Sequence, residues 1–295
     1  MTHKTPEDRL VLGIPKGSLQ NSTLDLFDRA GYQITASSRS LAPPIDDPMM
    51  SVMMFRAQEM ARYIEDGVID FGLTGYDWIC ENGADVAEIC ELVYAKQQRK
   101  PVQWVLAVPE ESDVQKPEDL AGGIIATELV NVTRKYFADK GVDLKVEFSW
   151  GATEVKARML DGIVDVTETG SSLRANKLRV IDTLLESTTR LIANKDAMKI
   201  DWKRRKIEDI AMLLKGAIGA RGKVGLKMNV PSPLLAEIVR LLPAEKSPTV
   251  SQLADEGWVA IEVILEESVE RELVPQLKRA GATGIITYPL NKVIH

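Results

Sequence analysis

Apolar residues in the first two thirds of the chain come in short runs. Most end in a glycine- or hydroxyl-bearing turn, and a segment with helical spacing follows. Residues 9–14 predict the first strand, and Lys16, Gly17, Ser18 and Leu19 come next. Leu24, Leu26, Phe27 and Ala30 then mark an amphipathic helix stopped by Gly31. Residues 37–50 carry Pro43, Pro44 and Pro48 and read as a loop. A strand over 51–55 and a helix over 57–66 follow. The run 68–75 then repeats the opening logic, with Thr74 and Gly75 leading into a helix over 76–81. A second βα series begins with a strand at 102–108, apolar on both faces. It continues with a strand at 123–127, a helix near 130–140, a strand at 146–148, a helix over 153–160 and a strand from 163. Two similar α/β lobes over 9–96 and 102–178 are the expectation, with strand-like segments in 180–194 crossing back to the first. Ligands of such a pair bind in the cleft between lobes.

Residues 163–178 are where the chemistry is expected. Ile163, Val164 and Val166 form a strand, Thr167 to Ser172 a hydroxyl-rich turn with one glycine, and 173–178 a helix with Ser171 or Ser172 as N-cap. A helix start offers free N–H groups and a favourable dipole to a phosphate, and Gly170 lets the backbone approach it closely. Asp165 and Glu168 would repel a bare phosphate but suit the hydroxyls of a phosphosugar. Taken alone, the same pattern also describes an ordinary βα turn. Lys16, at the end of the first strand, sits where open α/β sheets bind ligands, and Asp70 and Thr74 are further candidate contacts. The sequence Asp-Phe-Gly at 70–72 is not a kinase signature, because the companion kinase motifs are missing.

The helix near 201–220 has Ile207, Ile210, Ala211, Leu214 and Ile218 at helical spacing, with basic residues 203–206 on its exposed start. Gly219 to Gly222 break the chain. Beyond them a strand alternates Val224, Leu226 and Met228, and a helix over 234–242 ends at Pro243. Strands are expected at 249–254 and 258–265, a helix carries Val269, Leu273, Leu277 and Ala280, and a last strand spans 285–288. That order is βαββαβ, a ferredoxin-like unit.

Composition narrows the chemistry. A net charge of −6 argues against a nucleic-acid partner. No run approaches a membrane span or a secretion signal, so a cytoplasmic protein is expected. Cys80 and Cys90 are too few for a disulfide framework or a zinc site. The two histidines, His3 and His295, are terminal, which disfavours histidine acid–base catalysis and His-ligated metals.

Five motifs now stand in order. They are Lys-Gly-Ser-Leu at 16–19, Asp-Phe-Gly-Leu-Thr-Gly at 70–75, Ile-Ala-Thr-Glu-Leu at 125–129, Gly-Ala-Thr-Glu-Val at 151–155, and Asp-Val-Thr-Glu-Thr-Gly-Ser-Ser-Leu-Arg-Ala-Asn at 165–176. With the βαββαβ tail they closely resemble the ATP phosphoribosyltransferase family in its long form, over essentially the whole chain. The resemblance implies a two-lobed, periplasmic-binding-protein-like (type II) α/β catalytic part and a C-terminal ferredoxin-like regulatory domain. The expected boundaries are 1–100 with 181–220 for the first lobe, 101–180 for the second, and 221–295 for the tail. The implied reaction joins ATP to 5-phosphoribosyl 1-pyrophosphate with magnesium, as the first step of histidine biosynthesis. A solute-binding receptor of the same fold is the runner-up, and it would need a secretion signal. A transcription regulator would need an N-terminal helix-turn-helix, and a binding-only regulatory subunit would lose Lys16 or the 165–172 loop.

The resemblance also implies roles. Thr167, Thr169, Gly170, Ser171, Ser172 and Leu173 would hold phosphoribosyl pyrophosphate, with Asp165 and Glu168 on the ribose and Lys16 on the pyrophosphate. Arg56, Asp70, Gly72, Thr74 and Gly75 would line the nucleotide side. Magnesium would arrive mainly on the pyrophosphate. Asn229, Thr249, Ile264 and Gly284 would line a pocket for inhibitory histidine, with Ser247 just before the strand at 249. Self-association into dimers and hexamers would complete the assembly.

Overall fold

The computed structural model describes residues 8–36, 40–94, 101–243 and 248–294. His3, Ser247 and His295 lie outside the described residues. Two units divide the chain, Met1–Ala211 and Met212–His295.

In the first unit the chain runs β1 (Leu10–Lys16), α1 (Gln20–Ala30), β2 (Met50–Arg56), α2 (Ala57–Glu65), β3 (Phe71–Gly75), α3 (Tyr76–Asn82) and β4 (Ala87–Glu91). It continues through β5 (Val102–Pro109), β6 (Ile124–Thr127), α4 (Val130–Asp139), β7 (Lys145–Phe148), α5 (Thr153–Lys156), β8 (Gly162–Thr167), α6 (Ser171–Ala175), β9 (Leu178–Ser187) and β10 (Thr189–Ala193). One lobe is the sheet β2-β1-β3-β10-β4 and the other is β7-β6-β8-β5-β9. Each is an α/β sheet completed by an antiparallel strand, as in the two-lobed architecture expected. Strand β9 pairs with β5 along its whole length, while β10 inserts between β3 and β4. The return to the first lobe therefore falls near Thr188, not at 181. The polar run 186–190 sits at that switch.

Close packing explains two glycines. Gly13 and Gly72 face each other across β1 and β3. A Cβ on Gly13 would stand 2.3 Å from Met60 sulfur, and one on Gly72 would stand 2.7 Å from Gly13 oxygen. Helix α2 thus sits directly on the sheet, and Gly72 is a packing position rather than a ligand contact.

Helix α7 (Asp201–Gly219) was expected to expose its basic start. Instead Lys203 is 1% exposed and pairs with both oxygens of Asp70, at 2.9 and 3.0 Å. Asp70 also accepts the N–H of Val11 at 2.8 Å. Burying either charge alone would be costly, so the pair forms a fixed joint between α7 and the first sheet.

In the second unit β11 (Lys223–Pro231), α8 (Leu235–Leu241), β12 (Thr249–Gln252), β13 (Trp258–Glu266), α9 (Glu267–Arg279) and β14 (Thr283–Pro289) give the order β12-β13-β11-β14, all antiparallel. This is the ferredoxin-like arrangement. The alternating Val224, Leu226, Met228 and Val230 pack with Ile261, Leu273 and Leu277 in its core.

Candidate active site

A cleft of about 520 Å³ lies between the two lobes of the first unit. Lys16 and Arg56 form one wall. They end the neighbouring strands β1 and β2 and are register partners, so two cations stand side by side. Among the described residues no carboxylate pairs with either. Glu128 and Asp165 stand on the wall contributed by the second lobe, and Asp77, Trp78 and Trp104 close the back. A basic wall thus faces an acidic one.

Asp165 lies on β8, one residue past the buried run Gly162 to Val164. Burial, opposed by the Val166 N–H and reinforced by the nearby charges of Glu154 and Glu128, pushes its pKa up to about 6. The two Ala-Thr-Glu repeats explain those neighbours. Thr127 and Thr153 are both buried, which places Glu128 and Glu154 where each acts on Asp165. Sequence reading quoted both repeats without giving either glutamate a role.

A carboxyl raised in the fold is better tolerated neutral. Its stabilising contribution is complete below the unfolded value of 3.8 and is lost as pH rises through about 6. Asp165→Asn should therefore stabilise the ligand-free protein at pH 7.5, by an amount on the order of 2 kcal/mol or less. At pH 3.5 the gain should vanish. Melting curves at the two pH values check this, and an equal shift at both would contradict it.

Beyond Val166, which lines the cleft, the chain enters the expected phosphate loop. Gly170 has φ +70°, a left-handed conformation that suits glycine, and its N–H bonds Thr167 Oγ1 at 2.8 Å. Gly170, not Ser171 or Ser172, is the N-cap of α6. Thr169 Oγ1 donates to Ser171 Oγ at 3.0 Å, and Arg174 Nη2 donates to the Thr169 carbonyl at 3.0 Å. Ser172 Oγ donates to Glu154. Leu173 is buried in the lobe's core beside Val105, Ala107 and Ile163, so only its backbone could serve a ligand. Glu168 is half-buried in the turn.

Several of the expected nucleotide contacts have partners within the fold. Asp70 is spent on Lys203 and Val11, and the Thr74 hydroxyl, fully buried, donates to the Ala57 carbonyl at 2.7 Å. Gly72 is buried against Gly13. Arg56 remains on the cleft. Gly75 borders a smaller, mostly apolar pocket with Trp78, Tyr94, Val102 and Thr189.

Helix α3 joins the lobes, which sequence reading missed. Asp77 accepts Trp104 Nε1 at 2.7 Å and the Trp78 N–H at 2.9 Å, and burial raises its pKa against those bonds. Glu81 accepts the N–H groups of Asn131 and Val132 at 2.9 and 3.0 Å, capping α4 of the other lobe. An acid in the first turn of α3 and another near its end look like ordinary helix charges in sequence.

In the tail, register puts Asn229, Thr249 and Ile264 on the outer face of the sheet. Asn229 pairs with Ala260 and Thr249 with Glu262, four and two residues ahead of Ile264 on the same strand face. A Cβ on Gly284 would stand 3.4 Å from Asn229 Nδ2, so those two adjoin. Thr249 stands two strand spacings across and two residues along from Asn229, about 12 Å away.

The family model described as ATP phosphoribosyltransferase matches residues 56–216, and one described as HisG, C-terminal domain, matches 220–292. Curated proteins named ATP phosphoribosyltransferase are similar along nearly the full length. That of Chlorobaculum parvum is 59% identical over 97% of this chain and 97% of its own. That of Solibacter usitatus is 60% identical over 97% and 99%. A solved chain of the ATP phosphoribosyl transferase (HisG:HisZ) complex from Thermotoga maritima superposes with a TM-score of 0.60 at 25% identity, covering 70% of this chain and 98% of that one. A single protein thus carries the two-lobed catalytic part and the C-terminal domain, and it belongs to the ATP phosphoribosyltransferase family in its long form.

Proposed function

We propose that this chain condenses ATP with 5-phosphoribosyl 1-pyrophosphate, giving N1-(5-phosphoribosyl)-ATP and pyrophosphate, and that the cleft between the lobes is where it does so. The observation that carries the site assignment is that Lys16 and Arg56 of one lobe and Asp165 and Glu128 of the other line one cleft, with the 167–172 turn continuing directly from the lining residue Val166. Family membership carries the reaction.

The chemistry needs no histidine and no covalent nucleophile. Adenine N1 attacks the anomeric carbon, the bond from that carbon to the pyrophosphate oxygen breaks, and the electron pair leaves with pyrophosphate. Alignment and charge stabilisation are what the protein must supply. Thr169, Gly170, Ser171 and Ser172 hold the 5-phosphate. Asp165, ionised above about pH 6, accepts ribose hydroxyls and faces the positive charge that develops on the ring. Lys16 meets the leaving pyrophosphate, and Arg56 and Gly75 face the nucleotide.

Among the described residues no three acidic, histidine or cysteine side chains gather as a metal cage. The cleft does offer two carboxylates, Asp165 and Glu128, whose mutual repulsion a cation would relieve. That donor set fits magnesium, which takes one or two carboxylates and otherwise keeps phosphates and waters. Bound with the substrate, it would neutralise charge on the leaving group.

No helix among the described residues is long and apolar enough to cross a membrane, and cytoplasmic placement belongs to this proposal. So does feedback by histidine, bound on the outer face of the tail sheet between neighbouring copies in dimers and hexamers. The amino acid's ammonium and carboxylate need polar partners once covered. Asn229 and Thr249 offer them, beside Ile264 and the space left by Gly284. Thr249→Ala should leave turnover without histidine nearly intact while raising the histidine needed for half inhibition by roughly tenfold. Such an effect acts by coupling between distinct sites. Histidine titrations of both proteins check it, and an unchanged response, or strict competition with either substrate, would rule the pocket out. The reaction itself is tested by pyrophosphate release from the two substrates with the purified chain alone.

A further inference from the structure

The smaller, mostly apolar cavity of about 200 Å³ adjoins the cleft, and Ala57, Asp77, Trp78 and Val166 line both. Among the described residues Asp77 is the one carboxylate in its wall. The Tyr94 hydroxyl bonds Thr23 at 2.6 Å and the Thr188 hydroxyl bonds Glu91, so neither is left for a ligand. Asp77 itself stands where the two cavities meet. Its Oδ1 folds back over Gly75, where a Cβ would stand only 2.0 Å away, and Gly75 lines only the smaller cavity. Its Oδ2 accepts Trp104 Nε1, and Trp104 lines only the cleft. The Trp78 N–H and the Ser187 hydroxyl also bond the carboxylate, yet burial raises its pKa against those bonds. A further donor would therefore stabilise the ionised form, and a carboxylate can accept several.

We propose that Asp77 selects the nucleobase: adenine enters the smaller cavity, and its 6-amino group donates to the Asp77 carboxylate at the junction. This rests on the reading that the chain joins ATP to phosphoribosyl pyrophosphate in the cleft. The apolar walls suit a flat ring, and the reacting N1 must face the cleft, where the anomeric carbon lies. The 6-amino group is on the carbon next to N1, so it falls at the same junction. As N1 bonds the anomeric carbon and pyrophosphate departs with the electron pair, adenine gains positive charge, shared between N1 and the exocyclic nitrogen. The bond to Asp77 strengthens as that charge develops, so it assists the reaction as well as choosing the base. A 6-oxo purine would instead press an acceptor against a buried carboxylate, which is costly.

The test compares ATP with purine riboside 5′-triphosphate, which keeps N1 and lacks the 6-amino group. Pyrophosphate release gives kcat/KM for both nucleotides in the natural protein, Asp77→Asn and Trp104→Phe, with circular dichroism to verify folding. The advantage of ATP should fall by about tenfold in Asp77→Asn. Trp104→Phe breaks the bond between lobes but keeps the carboxylate, so it should slow both nucleotides alike and hold their ratio within about twofold. An unchanged ratio in Asp77→Asn, or an equal fall in Trp104→Phe, overturns the proposal and leaves Asp77 a joint between the lobes. Should Asp77→Asn not fold, binding to the natural protein decides. Purine riboside triphosphate should then bind about tenfold more weakly than ATP, and equal binding overturns the proposal. Absence of pyrophosphate release from ATP by the natural chain would remove the proposed function and this inference together, whereas release with an unchanged ratio counts against Asp77 alone.

Discussion

Gly170→Val should abolish turnover while leaving a folded protein. Gly170 sits at φ +70°, where a β-branched residue is strained. A Cβ there would also stand 2.8 Å from Arg174 Nη1. That guanidinium holds the Thr169 carbonyl, so pushing it aside unseats the turn. The new side chain would further block close approach of a phosphate to the backbone. Strain of this kind costs on the order of 1–3 kcal/mol, less than a domain's total stability. Gly170→Ala is the graded control, with smaller strain and a partial loss. Steady-state rates with circular dichroism check both, and near-normal turnover in folded Gly170→Val would sink the phosphate-site assignment.

Lys16→Ala should lower turnover by on the order of 10²-fold or more, as the loss of other charge-stabilising groups does. Among the described residues no carboxylate pairs with Lys16, so its charge is available to a ligand. Its register partner Arg56 is a second cation, so repulsion between them favours a polyanion at that wall. Lys16→Arg should not restore the rate, because a planar fork does not replace a compact point charge. Separate kcat and KM values decide the role. A loss confined to the KM for ATP would move Lys16 to the nucleotide side.

The fold is largely legible in the sequence because period and punctuation agree. Val224, Leu226 and Met228 alternate, and most βα units of the first unit end their strand at or beside a glycine or hydroxyl residue, as at Gly17, Gly75, Thr127, Ser149 and Thr167. The same features place Lys16 and Asp165 at strand ends, and both line the cleft. What is not legible depends on partners distant in sequence. Asp70 stands just before an apolar strand and Asp165 within another, yet Lys203 meets one and other carboxylates crowd the second. Nothing near either residue distinguishes them. Trp104 looks like one more core residue in an apolar strand, although its Nε1 reaches Asp77 of the opposite lobe. The break between β9 and β10 falls at the polar run 186–190, but which sheet each strand joins is set by its pairing with β5 or with β3 and β4, distant in sequence. Glu128 and Glu154 follow buried threonines in matching repeats. That repetition was visible, but the residue between them was not.

The central claim is that the turn after β8 holds the 5-phosphate while Lys16 faces the leaving group. A crystal structure of the chain with phosphoribosyl pyrophosphate and magnesium tests it most directly. The account predicts the 5-phosphate on the backbone N–H groups and hydroxyls of residues 169–172, the ribose hydroxyls on Asp165, and the pyrophosphate against Lys16. A 5-phosphate seated instead against Lys16 and Arg56, with the 167–172 turn empty, would contradict it.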